Sequence, residues 1–108
     1  MVLRHVVLGK FTAEATAEQK EAMFKHLRAL PDKIPEIMSL VVGEDLGLAA
    51  GNHAFALNVE FSSDVEYKVY ATHPDHVAVI TDFIKPILEP GSRTAVQFSL
   101  PDVVTGRE

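Results

Sequence analysis

Runs of β-branched and aliphatic residues along the chain predict four β-strands, at residues 2–11, 37–42, 53–61 and 93–100. The first two runs are apolar on both faces, since successive side chains of a strand point to opposite sides. The third run differs between its faces: Phe55, Leu57, Val59 and Phe61 share one, and Ala54, Ala56, Asn58 and Glu60 share the other. This third strand therefore has one clearly more polar side.

A helix is predicted between the first two strands. Thr16 followed by Gln19 is a capping-box pattern, in which each residue hydrogen bonds to the other's backbone N–H. Apolar residues then recur at helical spacing until two prolines end the pattern. The recurring residues are Met23, Leu27, Leu30 and Ile34, and the prolines are Pro31 and Pro35. The predicted helix covers residues 17–31.

Two further helices are predicted after the third strand. Ser63 and Glu66 start a short helix over residues 64–71, and Pro74 suits the first turn of another that ends near Lys85. The element order β-α-β-β-α-α-β is typical of the α+β, ferredoxin-like class. Its four-stranded antiparallel sheet carries helices on one face only.

One domain is expected over residues 1–100, followed by a tail at 101–108 that is poorly ordered or latches onto a neighbouring subunit. The face of the sheet without helices would be open to water, yet the first two strands are apolar on both sides. Association of two copies through this face, as a homodimer, would bury it. The alternative is a monomer in which the tail or the loops cover it.

The composition of the chain limits which classes of binding partner are expected. The chain has 108 residues, a net charge of −5 and no cysteine, so neither a basic surface for nucleic acid or anionic membrane nor a thiolate site is expected. No run of about 18 apolar residues is present to span a bilayer. The first residues alternate charged and apolar side chains, unlike a signal peptide. A cytoplasmic protein with protein or small-molecule partners is the expectation.

The segment from Tyr70 to His76 has the highest density of chemically functional side chains. Steps of four, seven and eleven residues from His76 reach Ile80, Phe83 and Ile87, so His76 is predicted to face the sheet. On the first strand, His5 shares a face with Leu3, Val7 and Phe11. If that face lies under the helices, His5, Tyr70 and His76 line one cleft.

These three residues admit two interpretations. A neutral imidazole can take a proton from a carbon or hydroxyl, and a tyrosine hydroxyl can donate to an oxyanion, which makes a general acid–base site. Alternatively, His76 and Tyr70 only satisfy each other or nearby backbone groups. A metal site built on His73 and His76 with His5 or Asp75 is disfavoured, because Pro74 places His73 at the helix N-cap. There its ring would bond free backbone N–H groups.

The chain resembles the stress-responsive dimeric α/β barrel family, called Dabb. The matching elements are Arg4-His5-Val6-Val7-Leu8, Lys33-Ile34-Pro35, Gly43-Glu44-Asp45, and Tyr70 with His73-Pro74-Asp75-His76. The resemblance, over about residues 2–100, implies two sheets packed face to face into a barrel with the helices outside. The family includes plant stress proteins and a polyketide cyclase, olivetolic acid cyclase. By this resemblance His76 would be the base, Tyr70 the oxyanion or carbonyl donor, and His5 an orienting group.

A cofactor-free cleft for a small apolar or aromatic ligand is therefore expected. The residues expected to contact the ligand are Val7, Met23, Leu27, His73, Ile80, Phe83 and Ile87. A homodimeric ligand-binding stress protein is the first functional hypothesis. The alternatives are a lyase, cyclase or isomerase that uses His76 and Tyr70, and, by fold analogy alone, a cofactor-independent monooxygenase.

Overall fold

The structure is a computed structural model that describes residues 2–100, so the predicted tail at 101–108 lies outside the described residues. The strands are β1 (Leu3–Gly9), β2 (Ser39–Glu44), β3 (Phe55–Phe61) and β4 (Thr94–Ser99). The helices are α1 (Ala17–Arg28), α2 (Leu30–Lys33), α3 (Asp64–Thr72) and α4 (Pro74–Val79), and α4 continues into a π-helical turn (Ile80–Ile84) and a 3₁₀ turn (Lys85–Ile87). The α+β class and the predicted order are confirmed, with α2 as an additional single turn.

The four strands form one antiparallel sheet in the order β2-β3-β1-β4. The register aligns Val41, Asn58, Val6 and Val96 in one row across the four strands. Side chains of one such row share a face of the sheet. The register therefore separates an inner face, which contains His5, from an outer face, which contains Val6.

Local sequence signals account for the bounds of α1. The Thr16 hydroxyl accepts from the Gln19 N–H, and the Gln19 side chain accepts from the Thr16 N–H, so the predicted capping box is confirmed. The helix ends at Arg28, before the predicted residue 31, because Pro31 has no N–H to continue the hydrogen-bond ladder. The chain then makes the single turn α2, where Pro31 is tolerated near the start.

The hydrophobic core lies between the inner face and the helices. The inner residues of β3 are all buried, and Val59 and Phe61 are 0% exposed. They pack with buried residues of the helices and turns, which include Met23, Leu27, Leu30, Ile34 and Ile87. Burial of these side chains is the main favourable term for folding.

The outer face is covered by no helix of residues 2–100 and mixes apolar with charged side chains. Val41, Val96 and Phe98 are 67%, 53% and 41% exposed. Beside them, Arg4 Nη2 donates to Glu60 Oε2 at 2.9 Å. Exposed apolar residues of this kind on one sheet face are typical of an interaction surface.

Candidate functional site

A cleft of about 380 Å³ opens between the inner face of the sheet and the helical segment from α3 to the 3₁₀ turn. It contains all three polar residues that the sequence singles out, His5, Tyr70 and His76. Its other lining residues are Val7, Leu27, Phe55, Leu57, Tyr67, Ala71, Ile80, Ile84, Lys85, Leu88 and Arg93. The volume lies near the lower end of the range for small-molecule sites, about 300–1,000 Å³.

Three different elements position the polar groups. His5 lies in the middle of β1, Tyr70 in the last turn of α3 and His76 in the first turn of α4. The rings of Tyr70 and His76 stack with centroids 3.9 Å apart, and the ring centroid of His5 lies 6.1 Å from that of Tyr70. The break between α3 and α4 at His73 lets the two stacked residues, only six positions apart, approach face to face.

Tyr70 has a buried hydroxyl without a hydrogen-bond partner among residues 2–100. Its side chain is only 1% exposed, and burial raises its pKa above the usual value because the phenolate would be poorly solvated. The hydroxyl is therefore a neutral donor. Since its ring stacks on His76, the two residues do not satisfy each other by a hydrogen bond.

His76 is held by a backbone carbonyl. Its Nδ1 lies 3.4 Å from the carbonyl oxygen of Ala71, a contact in which Nδ1–H is the donor. Burial lowers the pKa of His76 below its usual value, although the backbone contacts act in the opposite direction. The ring is thus neutral near pH 7, and its Nε2 has a lone pair that can accept a proton.

His5 is also neutral. It is 3% exposed, and burial, aided by the positive charge of Arg93 and by His76, lowers its pKa to about 4. The side-chain amide N–H of Gln97 on β4 donates to His5 Nδ1 at 2.8 Å. This contact leaves the His5 proton on Nε2 and fixes the orientation of the ring.

Three of the seven expected ligand contacts, Val7, Leu27 and Ile80, line the cleft. Met23 and Ile87 are instead buried in the core, and Phe83 stacks on His26 of α1 at 3.8 Å between ring centroids. For Phe83 and Ile87 the π-helical turn accounts for this difference, because its wider turn rotates the residues after Ile80 relative to an α-helix. Met23 lies on α1, outside that segment. The side of this helical segment that contains His76 and lines the cleft consequently continues through Ile84 and Leu88.

His73 lies outside the cleft lining and caps α4. Its Nδ1 accepts from the Asp75 N–H at 3.1 Å, as the N-cap prediction requires. Within residues 2–100, no group of three or more His, Cys, Asp or Glu side chains is arranged to hold a metal ion. Across the same residues, no helix has the length and apolar character needed to cross a membrane.

Three polar or charged lining residues were not predicted: Tyr67, Lys85 and Arg93. Tyr67 precedes Tyr70 by one helical turn and was open to prediction from that spacing. Lys85 and Arg93 have no such signal, because they reach the cleft only when the segment before β4 folds back beside β1. A larger depression of about 590 Å³ around Lys10 and Asp45 contains neither histidine nor tyrosine.

Comparison with known proteins places the fold in a family. The profile of the stress responsive A/B barrel domain matches residues 3–100. A stress-response A/B barrel domain-containing protein of Arabidopsis thaliana is 28% identical over 90 residues, and the match covers 82% of this chain and 34% of that protein. The chain thus spans only about a third of the length of that relative.

Two solved structures show the same architecture. A dimeric ferredoxin-like protein of Thermobifida fusca is 39% identical with a TM-score of 0.83, over 93% of this chain and 92% of that one. The hydroxynitrile lyase of Passiflora edulis is 18% identical with a TM-score of 0.82, over 96% and 97% of the two chains, a likeness that concerns the fold alone. Together with the profile match over nearly all described residues, these similarities show that the chain belongs to the stress responsive A/B barrel domain family, as the sequence resemblance predicts.

Proposed function

We propose that this protein is a homodimer that binds a small apolar or aromatic compound, carrying an oxygen atom, in the cleft. The observation that carries the proposal is that Tyr70 lines the cleft while its buried hydroxyl has no partner among residues 2–100. A buried polar group without a partner costs about 1–3 kcal/mol, and a ligand oxygen that accepts from Tyr70 would remove this cost.

The surroundings of Tyr70 favour such a ligand. The walls are mainly aliphatic and aromatic, whereas His5 and His76 are neutral and offer hydrogen bonds rather than charge. An apolar body with one or two polar atoms matches this lining.

Binding can be tested with acetophenone, which has an aromatic ring and one carbonyl oxygen. In ¹H–¹⁵N NMR titrations, we expect shifts that cluster at His5, Tyr70 and His76. Tyr70→Phe should weaken binding by about tenfold, because the donor to the carbonyl is lost. Thr72→Val is the matched control, since it removes an exposed hydroxyl from the same helix, outside the cleft lining, and should change affinity by less than about twofold. Shifts confined to other surfaces, or equal affinity for both variants and the parent, would contradict the proposal.

The homodimer is proposed to form through the outer face of the sheet. Val41, Val96 and Phe98 are exposed there, and the Thermobifida fusca relative with 39% identity is dimeric. A charge placed on this face should oppose association, because it would be buried without a partner.

Light scattering should give twice the chain mass of 11.8 kDa for the parent protein. Val96→Glu should shift this mass towards the monomer while the circular dichroism spectrum stays unchanged. Val65→Glu is the control, since Val65 is 63% exposed on α3, away from the sheet. A parent protein that is a monodisperse monomer at micromolar concentration would overturn the dimer.

A second candidate function is proton transfer without a cofactor. It is favoured by the arrangement of His76, whose Nδ1 faces Ala71 and whose Nε2 remains available as a base beside the Tyr70 donor. His76 would take a proton from the carbon next to a carbonyl while Tyr70 stabilises the enolate oxygen. The hydroxynitrile lyase of Passiflora edulis has a similar fold, which supports a lyase as one candidate for this chain.

Deuterium exchange separates the two candidates. In D₂O, an acid–base enzyme should accelerate deuterium incorporation into the methyl group of acetophenone, and His76→Gln should abolish the acceleration while ligand shifts persist. Binding without accelerated exchange would support the binding function and contradict catalysis on this probe.

A further inference from the structure

The charges that line the cleft all have one sign. Among the described lining residues, Lys85 and Arg93 are the ones with a permanent charge, and none is an aspartate or glutamate. The whole chain has a net charge of −5, so this local excess of positive charge runs against its composition. Both side chains belong to exposed residues and therefore lie where the cleft meets solvent.

Neither cation forms a salt bridge within residues 2–100. The ion pairs found there use Arg4, Lys20, Lys68 and His73 instead. An unpaired guanidinium keeps its planar array of N–H donors available for an anion.

The positive charge of Arg93 also acts inside the cleft. It lowers the pKa of both His5 and His76, and it opposes the rise that burial causes in the pKa of Tyr70. An anion at the mouth would therefore be attracted by Arg93, while the histidines, which are neutral, would not add to the charge.

We propose that the ligand of this cleft is a small carboxylate with an apolar or aromatic body. The carboxylate binds Arg93 and Lys85 at the mouth, the body packs against aliphatic walls such as Leu57 and Ile80, and a second oxygen accepts from Tyr70. This inference rests on the proposed ligand-binding function and adds the charge and polarity of the ligand to it.

The guanidinium geometry supports an oxyanion, and the apolar surroundings favour a carboxylate. Arg93 can form two parallel N–H···O bonds with a carboxylate, and charge-assisted bonds of this kind are about twice as strong as neutral ones. A phosphate dianion could use the same donors, but its second charge raises the cost of desolvation at an otherwise apolar opening, so a singly charged carboxylate is favoured.

The test uses a matched pair of probes, 4-acetylbenzoate and 4-acetylbenzamide. Both have the aromatic ring and the ketone, and they differ mainly in the charge of the group at the mouth. By NMR titration, the acid should bind about tenfold more tightly than the amide. Arg93→Gln should remove this preference and Lys85→Gln should reduce it by about threefold, whereas the amide affinity should change by less than about twofold.

Lys25→Gln is the control variant, because it removes one positive charge from the exposed surface of α1, outside the cleft lining. It should leave the acid preference unchanged. Raising the salt concentration should weaken acid binding and leave amide binding constant, since exposed charges are screened.

The outcomes separate this inference from the proposed function. Equal affinity for acid and amide, or an acid preference that survives both Arg93→Gln and Lys85→Gln, would overturn the carboxylate while binding in the cleft still stands. Tighter binding of phenyl phosphate than of benzoate would overturn the choice of carboxylate over phosphate. If no probe shifts the resonances of His5, Tyr70 or His76, ligand binding itself is contradicted.

Discussion

Neighbouring residues of one strand have opposite environments on the two faces of the sheet. His5 faces inwards, where burial makes it neutral, and Arg4 faces outwards, where Glu60 pairs with its charge. One buried polar atom without a partner among residues 2–100 is also found on each side of the sheet: Tyr70 Oη on helix α3, on the inner side, and Arg4 Nε on strand β1, on the outer side. Tyr70 lines a cleft of ligand size, whereas Arg4 belongs to the face that no helix of residues 2–100 covers.

This contrast explains how the two faces of one sheet can suit two different kinds of partner. A buried site favours neutral hydrogen-bonding groups, because an isolated charge would be poorly solvated there. An open face keeps charged groups hydrated and leaves apolar side chains available for a partner. The inner face therefore suits a small molecule, and the outer face suits a second copy of the chain.

Acidification is expected to reduce the free energy of unfolding through His5 on the inner face, and this is the largest of the expected effects. The pKa of His5 is about 4 in the folded chain, against an ordinary value of 6.5 for the unfolded chain, so between these values the unfolded chain binds more protons. The contribution of His5 to stability should be complete above pH 6.5 and fall by about 3 kcal/mol as the pH drops to 4. The lowered pKa of His76 acts in the same direction. Urea titrations at steps of pH measure this loss.

His5→Gln is the matched variant for the pH experiment. It should flatten the dependence of the unfolding free energy on pH between 6.5 and 4, because glutamine does not titrate. The outer Glu60 cannot produce the same slope, since its pKa is lowered from 4.5 and its contribution to stability is lost only below that value. An unchanged slope in His5→Gln would contradict the assignment.

The packing of the two faces can be compared by truncating one valine on each face. Val59→Ala on the inner face should reduce the free energy of unfolding by about 2–3 kcal/mol, because two buried methyl groups are lost and a cavity remains. Val41→Ala on the outer face should cost less than about 0.5 kcal/mol when both substitutions are made in Val96→Glu, the variant expected to be monomeric. Val59 is 0% exposed and Val41 is 67% exposed. Equal losses in urea denaturation would show that the two faces are packed alike.

Two glycines give the smallest expected effect. A Cβ at Gly9, on the inner face, would lie 2.7 Å from Phe55 Cζ and 2.9 Å from Leu88 Cδ1, whereas a Cβ at Gly43, on the outer face, would have no neighbour within 4 Å. Gly9→Ala should therefore cost about 1–2 kcal/mol through overpacking. Gly43→Ala should be neutral or stabilise by up to about 1 kcal/mol. Thermal unfolding of both variants measures the difference, and a neutral Gly9→Ala would contradict close packing there.

The sequence predicted the elements well where the signals are local. Thr16 and Gln19 located the start of α1, and alternation in β3 separated its buried face from its polar face. Helical spacing also placed Ile80 beside His76 correctly, one turn away. These signals depend on neighbours within a few residues, which is the range over which backbone hydrogen bonds and side-chain periodicity act.

Predictions that crossed the π-helical turn were less accurate. Beyond Ile80 the α-helical period no longer applies, so Phe83 packs on α1 and Ile84 takes its expected place at the cleft. The widened turn depends on how the helix packs against α1 and the sheet, and a period read along one segment contains no such information.

By itself, the sequence determined the fold class, because alternation and capping are encoded in short stretches of chain, and its resemblance to the Dabb family predicted the family that the profile match shows. Alternation grouped His5 with Leu3 and Val7 but left open which face of the strand lies under the helices. Only the tertiary structure decided that Tyr70 stacks on His76 with its hydroxyl lacking a partner among residues 2–100, and that Lys85 and Arg93 line the same cleft. These contacts join residues from separate elements, so their distances and charges are set by packing between elements rather than by local backbone preference.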